Sequence, residues 1–135
     1  MGSATTVLCI DDDLDDLMFI REAILSFNPV LEIIEVPDGK AGLDYLSDCK
    51  MNEMLPCLII MDINMPRMDG KKTMNLIRKD DMLSAIPLVV FTTSSNAEDR
   101  KYFEDLGVTY FTKPSHYNSF LKKVKEIVME FSRKT

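Results

Sequence analysis

The stretch LIIMDINMPRMDG, residues 58–70, decides the fold because it joins an apolar run to an acidic turn. Its first four residues are apolar and uncharged, which is typical of a strand buried on both faces of a parallel sheet. Asp62 follows at once, where such a strand would end. The next residues favour a turn, since Pro66 fixes φ and Gly70 frees it, and Asp69 is suited to cap a helix. The stretch therefore predicts a strand, an acid at its carboxyl end, and the start of a helix.

The same alternation continues on both sides of this stretch. Short apolar or β-branched runs predict five strands, at residues 6–10, 32–36, 57–61, 88–91 and 108–111. The segments that follow each strand carry apolar residues at helical spacing. These predicted buried helix positions are Leu17, Met18, Ile24 and Leu25; Leu43 and Leu46; Met74 and Ile77; Tyr102, Phe103 and Leu106; and Phe120, Leu121, Val124, Ile127, Val128 and Phe131.

The residues at the helix ends agree with this assignment. Gly107 is predicted to end the fourth helix in a left-handed conformation, and residues 48–56 are interpreted as a long connection. Helix N-caps are predicted at Asp13, Asp38, Asp69 and Ser115. Five successive strand–helix units predict an α/β fold with right-handed crossovers. We expect a doubly wound, five-stranded parallel sheet of order 2-1-3-4-5, flavodoxin-like, with its functional crevice at the carboxyl ends of strands 1 and 3.

Size, composition and charge exclude several classes of protein. The chain has 135 residues, of which 46% are hydrophobic and 28% charged, and this predicts one globular domain, over residues 5–133, with no output domain. The formal net charge of −6 argues against a nucleic-acid or anionic-membrane partner. Apolar runs such as residues 58–61 are far shorter than the ~20 residues of a membrane span. The scattered Cys9, Cys49 and Cys57 are interpreted as packing residues in a reducing cytoplasm, the predicted location.

Polar residues gather where the predicted strands end. In the predicted fold these residues meet at one edge of the sheet: Asp11, Asp12 and Asp13 after strand 1, Asp62 after strand 3, Thr92 after strand 4 and Lys113 after strand 5. Converging carboxylates repel one another, and Mg²⁺, which prefers oxygen ligands, offsets that repulsion. An aspartate can act as a nucleophile and form an acyl phosphate, while a lysine and a hydroxyl bind the phosphoryl group. The set therefore predicts phosphoryl transfer.

Four segments resemble the receiver domains of response regulators, of the single-domain, chemotaxis-regulator-like kind. They are VLCIDDD at residues 7–13, LIIMDINMPRMDG at 58–70, PLVVFTTSS at 87–95 and YFTKP at 110–114. The match runs from Val7 to about Phe131. The resemblance implies a phosphoacceptor of a two-component system with Mg²⁺ as cofactor. Asp62 would accept the phosphoryl group, and the metal would be held by Asp11, Asp12, Asp62 and the backbone carbonyl of Asn64.

The resemblance also implies roles for residues further along the chain. Thr92 would be the hydroxyl that follows the phosphoryl group, Lys113 its cationic partner, and Tyr110 an aromatic switch residue whose ring orientation changes with phosphorylation. The Lys113–Pro114 bond would be cis, although X-Pro bonds are mostly trans.

The partners implied are proteins. A sensor histidine kinase or a histidine phosphotransfer protein would be the donor, and an unidentified downstream protein would be the target. The fourth helix, fifth strand and fifth helix would form the output surface. The protein would catalyse only its own phosphorylation and dephosphorylation.

Three alternatives fit the residues less well. A phosphohydrolase of the haloacid-dehalogenase type needs a second aspartate two positions after the nucleophile, where this chain has Asn64. A calcium-binding loop matches Asp11, Asp13, Asp15 and Glu22 in spacing, but it has Asp16 where the loop requires glycine. An interaction module without chemistry would not need the complete set of acids, hydroxyl and lysine.

Overall fold

The computed structural model describes residues 5–131, so the predicted domain boundary at residue 133 lies outside the described part of the chain. The strands are β1 Thr6–Ile10, β2 Glu32–Val36, β3 Leu58–Met61, β4 Leu88–Thr92 and β5 Thr109–Thr112. The helices are α1 Leu14–Phe27, α2 Gly39–Met51, α3 Gly70–Arg78, α4 Ala97–Asp105 and α5 Tyr117–Phe131, and a single 3-10 turn, Leu83–Ala85, precedes β4. The third and fourth predicted strands differ from the observed ones by one residue at one end, and the fifth is shifted by one residue.

The strands form one parallel sheet of order β2-β1-β3-β4-β5, which confirms the predicted fold and topology. Ile10 of β1 is aligned with Met61 of β3, so these neighbouring strands end side by side. Thr92 and Thr112 are aligned at the ends of β4 and β5. Because all the strands are parallel, their carboxyl ends lie on the same side of the sheet, and the loops that follow β1, β3, β4 and β5 meet there.

Helices cover both faces of the sheet, and each face has its own apolar core. Side chains of β1 alternate between them, with Val7 and Cys9 in one core and Leu8 and Ile10 in the other. The first core is shared with α1 and α5, and the second with α2, α3 and α4. The main helix residues are Leu17, Ile20, Ile24, Phe120, Val124 and Ile127 in the first, and Leu46, Met74, Ile77 and Phe103 in the second. All three cysteines are buried and free of disulfides.

Most of the predicted helix caps are present. Asp13, Asp38 and Asp69 each accept a hydrogen bond from a backbone N–H in the first turn of the following helix. Gly107 has φ +76°, and its N–H donates to Glu104 O at 3.0 Å, as in a left-handed helix ending. The prediction for Ser115 is wrong by one residue, because α5 begins at Tyr117 and His116 occupies the capping position.

Three other predictions about the helices are corrected by the structure. Leu106 is 38% exposed and follows the last residue of α4. Met18 is 54% exposed, because Leu17 and Ile20 already define the face of α1 that packs on the core. Residues 48–51 belong to α2 rather than to a connection. The helix continues because Cys49, one turn after Leu46, is also buried in line with the apolar face.

Among the described residues, no helix combines the length and the apolar character that crossing a membrane would require.

Candidate functional site

The site lies where β1 and β3 end. Asp62 N–H donates to Ile10 O at 2.9 Å, and Asp11 N–H donates to Val36 O at 3.0 Å, so the sheet's hydrogen bonds fix both acids at its edge. Asp12 follows Asp11 and is exposed, whereas Asp11 and Asp62 are buried. Carboxylate oxygens of Asp11, Asp12 and Asp62 lie within 4.8 Å of one another. The structure thus brings together three of the four acids that the sequence predicted to meet here, whereas the side chain of Asp13 caps α1.

Lys113 reaches these acids from the end of β5. The backbone N–H of Lys113 donates to Thr92 O at 2.7 Å, which attaches Lys113 to the end of β4. Its Nζ lies 2.7 Å from Asp11 Oδ2 and 3.2 Å from Asp62 Oδ2. The ammonium is 2% exposed and is therefore a buried cation paired with buried carboxylates. Burial alone would cost several kcal/mol per ion, and the short contacts offset that penalty.

Burial has opposite effects on the protonation of an acid and of an amine in this site. The pKa of Asp11 is raised to about 6, mainly by burial and to a smaller extent by the charge of Asp62, and Lys113 partly opposes the shift. Burial lowers the pKa of Lys113, but the charges of Asp11 and Asp62 outweigh this, and the pKa is raised. Lys113 is therefore charged at neutral pH, and Asp11 ionises less readily than an exposed aspartate does.

Asp16 is a site residue that sequence reasoning missed. It lies in the first turn of α1, and its Oδ2 accepts a hydrogen bond from Lys113 Nζ at 2.7 Å. The only signal in the sequence was a high density of acids, five among residues 11–16. An acid in a first helical turn ordinarily stabilises the helix dipole, which gave no reason to single this one out.

The donor set fits a hard divalent cation. Three carboxylates supply oxygen ligands, the type that Mg²⁺ prefers, and one of them is exposed and accessible. Asn64 lies two residues after Asp62 on the loop before α3 and is exposed. It lines a cavity of about 100 Å³ together with Ile63, Asp69, Lys71 and Asp99. Asn64 is therefore placed on the same loop as Asp62 and beside an open space.

Thr92 and Tyr110 are connected through Ser94. Thr92 is fully buried, and its Oγ1 accepts a hydrogen bond from Ser94 N–H at 3.2 Å. Tyr110 Oη donates to Ser94 O at 2.9 Å. The ring of Tyr110 is already buried, at 4% exposure, with the Arg100 guanidinium 4.6 Å from its centroid. Two hydrogen bonds through Ser94 thus link Tyr110 to the Thr92 hydroxyl at the end of β4.

The peptide bond between Lys113 and Pro114 is trans, as are all the others in residues 5–131. The cis expectation is therefore not met, and the trans form is the one that X-Pro bonds generally favour. The calcium-loop alternative is also excluded, because residues 14–22 lie in α1 and cannot wrap around an ion.

Comparison with known proteins gives one family. The model of the response regulator receiver domain matches residues 7–125. The probable methanogenesis regulatory protein FilR2 of Methanothrix harundinacea is 32% identical over 128 residues, which cover 90% of this chain and 79% of the relative. Response regulator Rcp1 of Synechocystis is 31% identical over 124 residues, which cover 90% and 84%.

Solved structures give the same family. The phosphorylated cyanobacterial phytochrome response regulator RcpA superimposes with a TM-score of 0.89 at 30% identity, over 97% of this chain and 96% of that one. Rcp1, solved in its Mn²⁺-bound form, superimposes with a TM-score of 0.86 at 28% identity, over 97% and 96%. The chain therefore belongs to the response regulator receiver domains, the phosphoacceptor modules of two-component signalling.

Proposed function

We propose that Asp62 is the phosphoacceptor and that the reaction depends on Mg²⁺. The observation that carries this proposal is the convergence of three carboxylates within 4.8 Å, with Lys113 Nζ 3.2 Å from Asp62 Oδ2. A nucleophilic carboxylate, a metal-binding pair of acids and a buried cation are the parts that phosphoryl transfer to an aspartate requires.

In the proposed reaction a carboxylate oxygen of Asp62 attacks the phosphorus of a phosphohistidine. An O–P bond forms as the P–N bond of the donor breaks, and the donor's imidazole nitrogen leaves with the electron pair and takes up a proton. Lys113 then donates to an oxygen of the new phosphoryl group, because its ammonium already faces Asp62. The Thr92 hydroxyl donates to a second phosphoryl oxygen while its Oγ1 keeps the hydrogen bond from Ser94 N–H.

The metal would be held by Asp11, Asp12, Asp62 and the backbone carbonyl of Asn64. Bound there, Mg²⁺ supplies the positive charge that neutralises the transferring phosphoryl oxygens. The similar protein Rcp1 was solved in a Mn²⁺-bound form, which supports the binding of a divalent cation by this chain. The protein's own acids position the ion, and Asp62 remains free to offer one oxygen to phosphorus.

The donor in this proposal is a sensor histidine kinase or a histidine phosphotransfer protein, and the target is another protein. A relative in Helicobacter pylori, sensor histidine kinase CheAY, is 33% identical over 109 residues, which cover 13% of its length, and this supports a kinase donor. The net charge of −6 favours a protein rather than a nucleic-acid target. Signalling would follow from a population shift in α4, β5 and α5, and catalysis would be limited to the domain's own phosphorylation and dephosphorylation.

Incubation with a small acyl phosphate and Mg²⁺ tests the proposal. Intact-mass analysis should show one added phosphoryl group, and trapping followed by peptide mapping should place it on Asp62. Asp62→Asn and wild type in excess chelator should both stay unmodified. Unchanged labelling of Asp62→Asn would show that another residue is the acceptor.

A further inference from the structure

The loop between β3 and α3, residues 62–69, carries both Asp62 and Asn64. Its base is closed by the Gly70 N–H, which donates to Ile63 O at 2.9 Å. At its tip Arg67 has φ +62°, a left-handed conformation that is uncommon for a residue other than glycine. Such a conformation persists only where surrounding contacts impose it. Contacts around the tip of the loop therefore hold Arg67 in this conformation.

One contact is an ion pair between Arg67 and Asp38. Arg67 Nε donates to Asp38 Oδ2 at 2.8 Å, and Nη2 donates to the same oxygen. The Asp38 side chain is 1% exposed, and its Oδ1 accepts from Ala41 N–H as the N-cap of α2. These two kinds of contact lower the pKa of Asp38, so it is ionised at neutral pH. A buried, immobile carboxylate thus anchors an arginine whose side chain is 68% exposed.

The backbone beside Asp38 makes a second contact with the same loop. Gly39 N–H points at Met68 O, at 3.4 Å. A Cβ on Gly39 would lie 3.0 Å from Met68 O and 1.7 Å from Thr73 Oγ1, so the start of α2 and the start of α3 pack without space for a side chain. The start of α2 is therefore a rigid support against which the tip of the loop is held.

We propose that Arg67 is a positioning residue for the metal site. Through its ion pair with Asp38, it fixes the loop that presents the backbone carbonyl of Asn64, three residues earlier. Arg67 touches neither the metal-binding acids nor Lys113, so it acts only through the loop. This inference rests on the proposed function, since it assumes that Mg²⁺ binds at Asp11, Asp12, Asp62 and Asn64.

The test is calorimetric titration of Mg²⁺ into Arg67→Asn. Asparagine tolerates the left-handed conformation but cannot reach Asp38 with a guanidinium, so the substitution separates the backbone requirement from the ion pair. We expect the Kd for Mg²⁺ to rise about tenfold, the lower end of the range for residues that orient metal ligands. The rate of Asp62 phosphorylation by an acyl phosphate should fall at low Mg²⁺ and return close to the wild-type rate at saturating Mg²⁺.

Asp38→Asn gives an independent test from the other partner. Asparagine caps helices about as well as aspartate, so α2 keeps its cap while the charge that Arg67 contacts is removed. The Kd should rise as in Arg67→Asn, and the double variant should show no further rise, because both substitutions remove one contact. The Kd of Arg67→Lys should lie between those of wild type and Arg67→Asn, since lysine carries the charge but lacks the planar guanidinium group.

Arg21→Gln is the matched control. Arg21 and Glu35 form a similar pair between two elements, at 2.9 Å, but away from the loop. The Kd of the Arg21→Gln variant for Mg²⁺ should equal that of wild type. If Arg67→Asn and Asp38→Asn are folded by circular dichroism and bind Mg²⁺ with the wild-type Kd, the positioning role is wrong while the proposed function stands. If wild type itself binds no Mg²⁺, both are wrong.

Discussion

The fold opposes the ionisation of the Asp11 carboxyl group. Burial is the main reason that its pKa is raised from 3.8 to about 6. Between these two pH values the folded protein binds more protons at Asp11 than the unfolded chain does. The contribution of Asp11 to the free energy of unfolding therefore decreases as pH rises from about 4 to about 6, and it stays low at higher pH.

The Asp11→Asn variant should consequently become more stable than wild type as pH rises, when both are measured in chelator. The difference in unfolding free energy should be near zero at pH 4 and should level off above pH 6, at no more than roughly 3 kcal/mol for a shift of this size. Urea denaturation at a series of pH values measures it. Adding Mg²⁺ at pH 7 should reverse the order, because wild type gains binding energy that the variant lacks. A pH-independent difference in chelator would show that Asp11 titrates normally.

At the scale of elements, the loop between β4 and α4 connects the site to β5. Thr92 Oγ1, Ser94 and Tyr110 Oη are joined by the two hydrogen bonds at 3.2 and 2.9 Å. A phosphoryl group on Asp62 would draw the Thr92 hydroxyl by a charge-assisted hydrogen bond, which is stronger than a neutral one. Ser94 and the ring of Tyr110 would then move or stiffen together with Thr92.

Thr92→Ala should therefore still accept a phosphoryl group but lose most of the conformational response. NMR amide shifts in α4 and β5, with and without a beryllium fluoride adduct on Asp62, measure that response, and the adduct stands in for the phosphoryl group. Thr92→Ser should restore it, since serine keeps the hydroxyl. Thr93→Ala, at the exposed neighbour, is the control and should respond as wild type does. Wild-type shifts in Thr92→Ala would exclude the hydroxyl as the carrier of the signal.

A second connection between elements joins α3 to α4. Lys71 Nζ lies 2.9 Å from Asp99 Oδ1, and Asp99 Oδ2 accepts from Ser94 Oγ at 3.0 Å. The hydrogen bond from Lys71 is the main reason that the pKa of Asp99 is lowered, so this contact persists at neutral pH. The ion pair therefore ties the helix after the Asp62 loop to the helix of the expected output surface.

Lys71→Met should loosen α4 without unfolding the protein. Because Lys71 is 42% exposed, the loss of stability should stay below about 1 kcal/mol. Hydrogen exchange at the α4 amides should nevertheless accelerate. Lys101→Met removes an ion pair with Asp105 that lies within α4, so it serves as the control and should not reproduce the effect. Equal exchange rates in the two variants would show that the contact between α3 and α4 does not restrain α4.

The elements were largely predictable because their signals are local. The N-caps at Asp13, Asp38 and Asp69 depend on a side chain and a backbone N–H within three residues. Strand order followed from the connectivity of parallel strands. Asp16 could not be predicted, since its role depends on Lys113, which is 97 residues away. The Arg67–Asp38 pair, which spans 29 residues, was missed for the same reason.

At the scale of the whole molecule, a substitution in the core on the α1 and α5 side of the sheet should lower stability without changing Mg²⁺ binding. Ile24 and Val124 are both fully buried in the core between the sheet, α1 and α5, which contains none of the acids of the proposed metal site. Ile24→Ala should lower the unfolding free energy by about 2–5 kcal/mol through lost burial and the cavity it leaves. The Kd for Mg²⁺ of the folded protein should stay at the wild-type value. Chemical denaturation and calorimetry measure the two quantities, and a parallel loss of Mg²⁺ affinity would show that the core and the site are coupled.

The packing of α5 against α1 also has a consequence for biosynthesis. Ile24 and Val124 share a core, although about 100 residues separate them, and a ribosome adds roughly 5–20 residues per second. For about 5–20 seconds, therefore, the apolar face of α1 has no helix to cover it and is open to chaperones or to other nascent chains. The growing chain can pair β1 with β2 and β3 early, but it cannot close this core until residue 131 has emerged. Translation therefore sets the earliest time at which a new molecule can respond to the proposed phosphoryl donor.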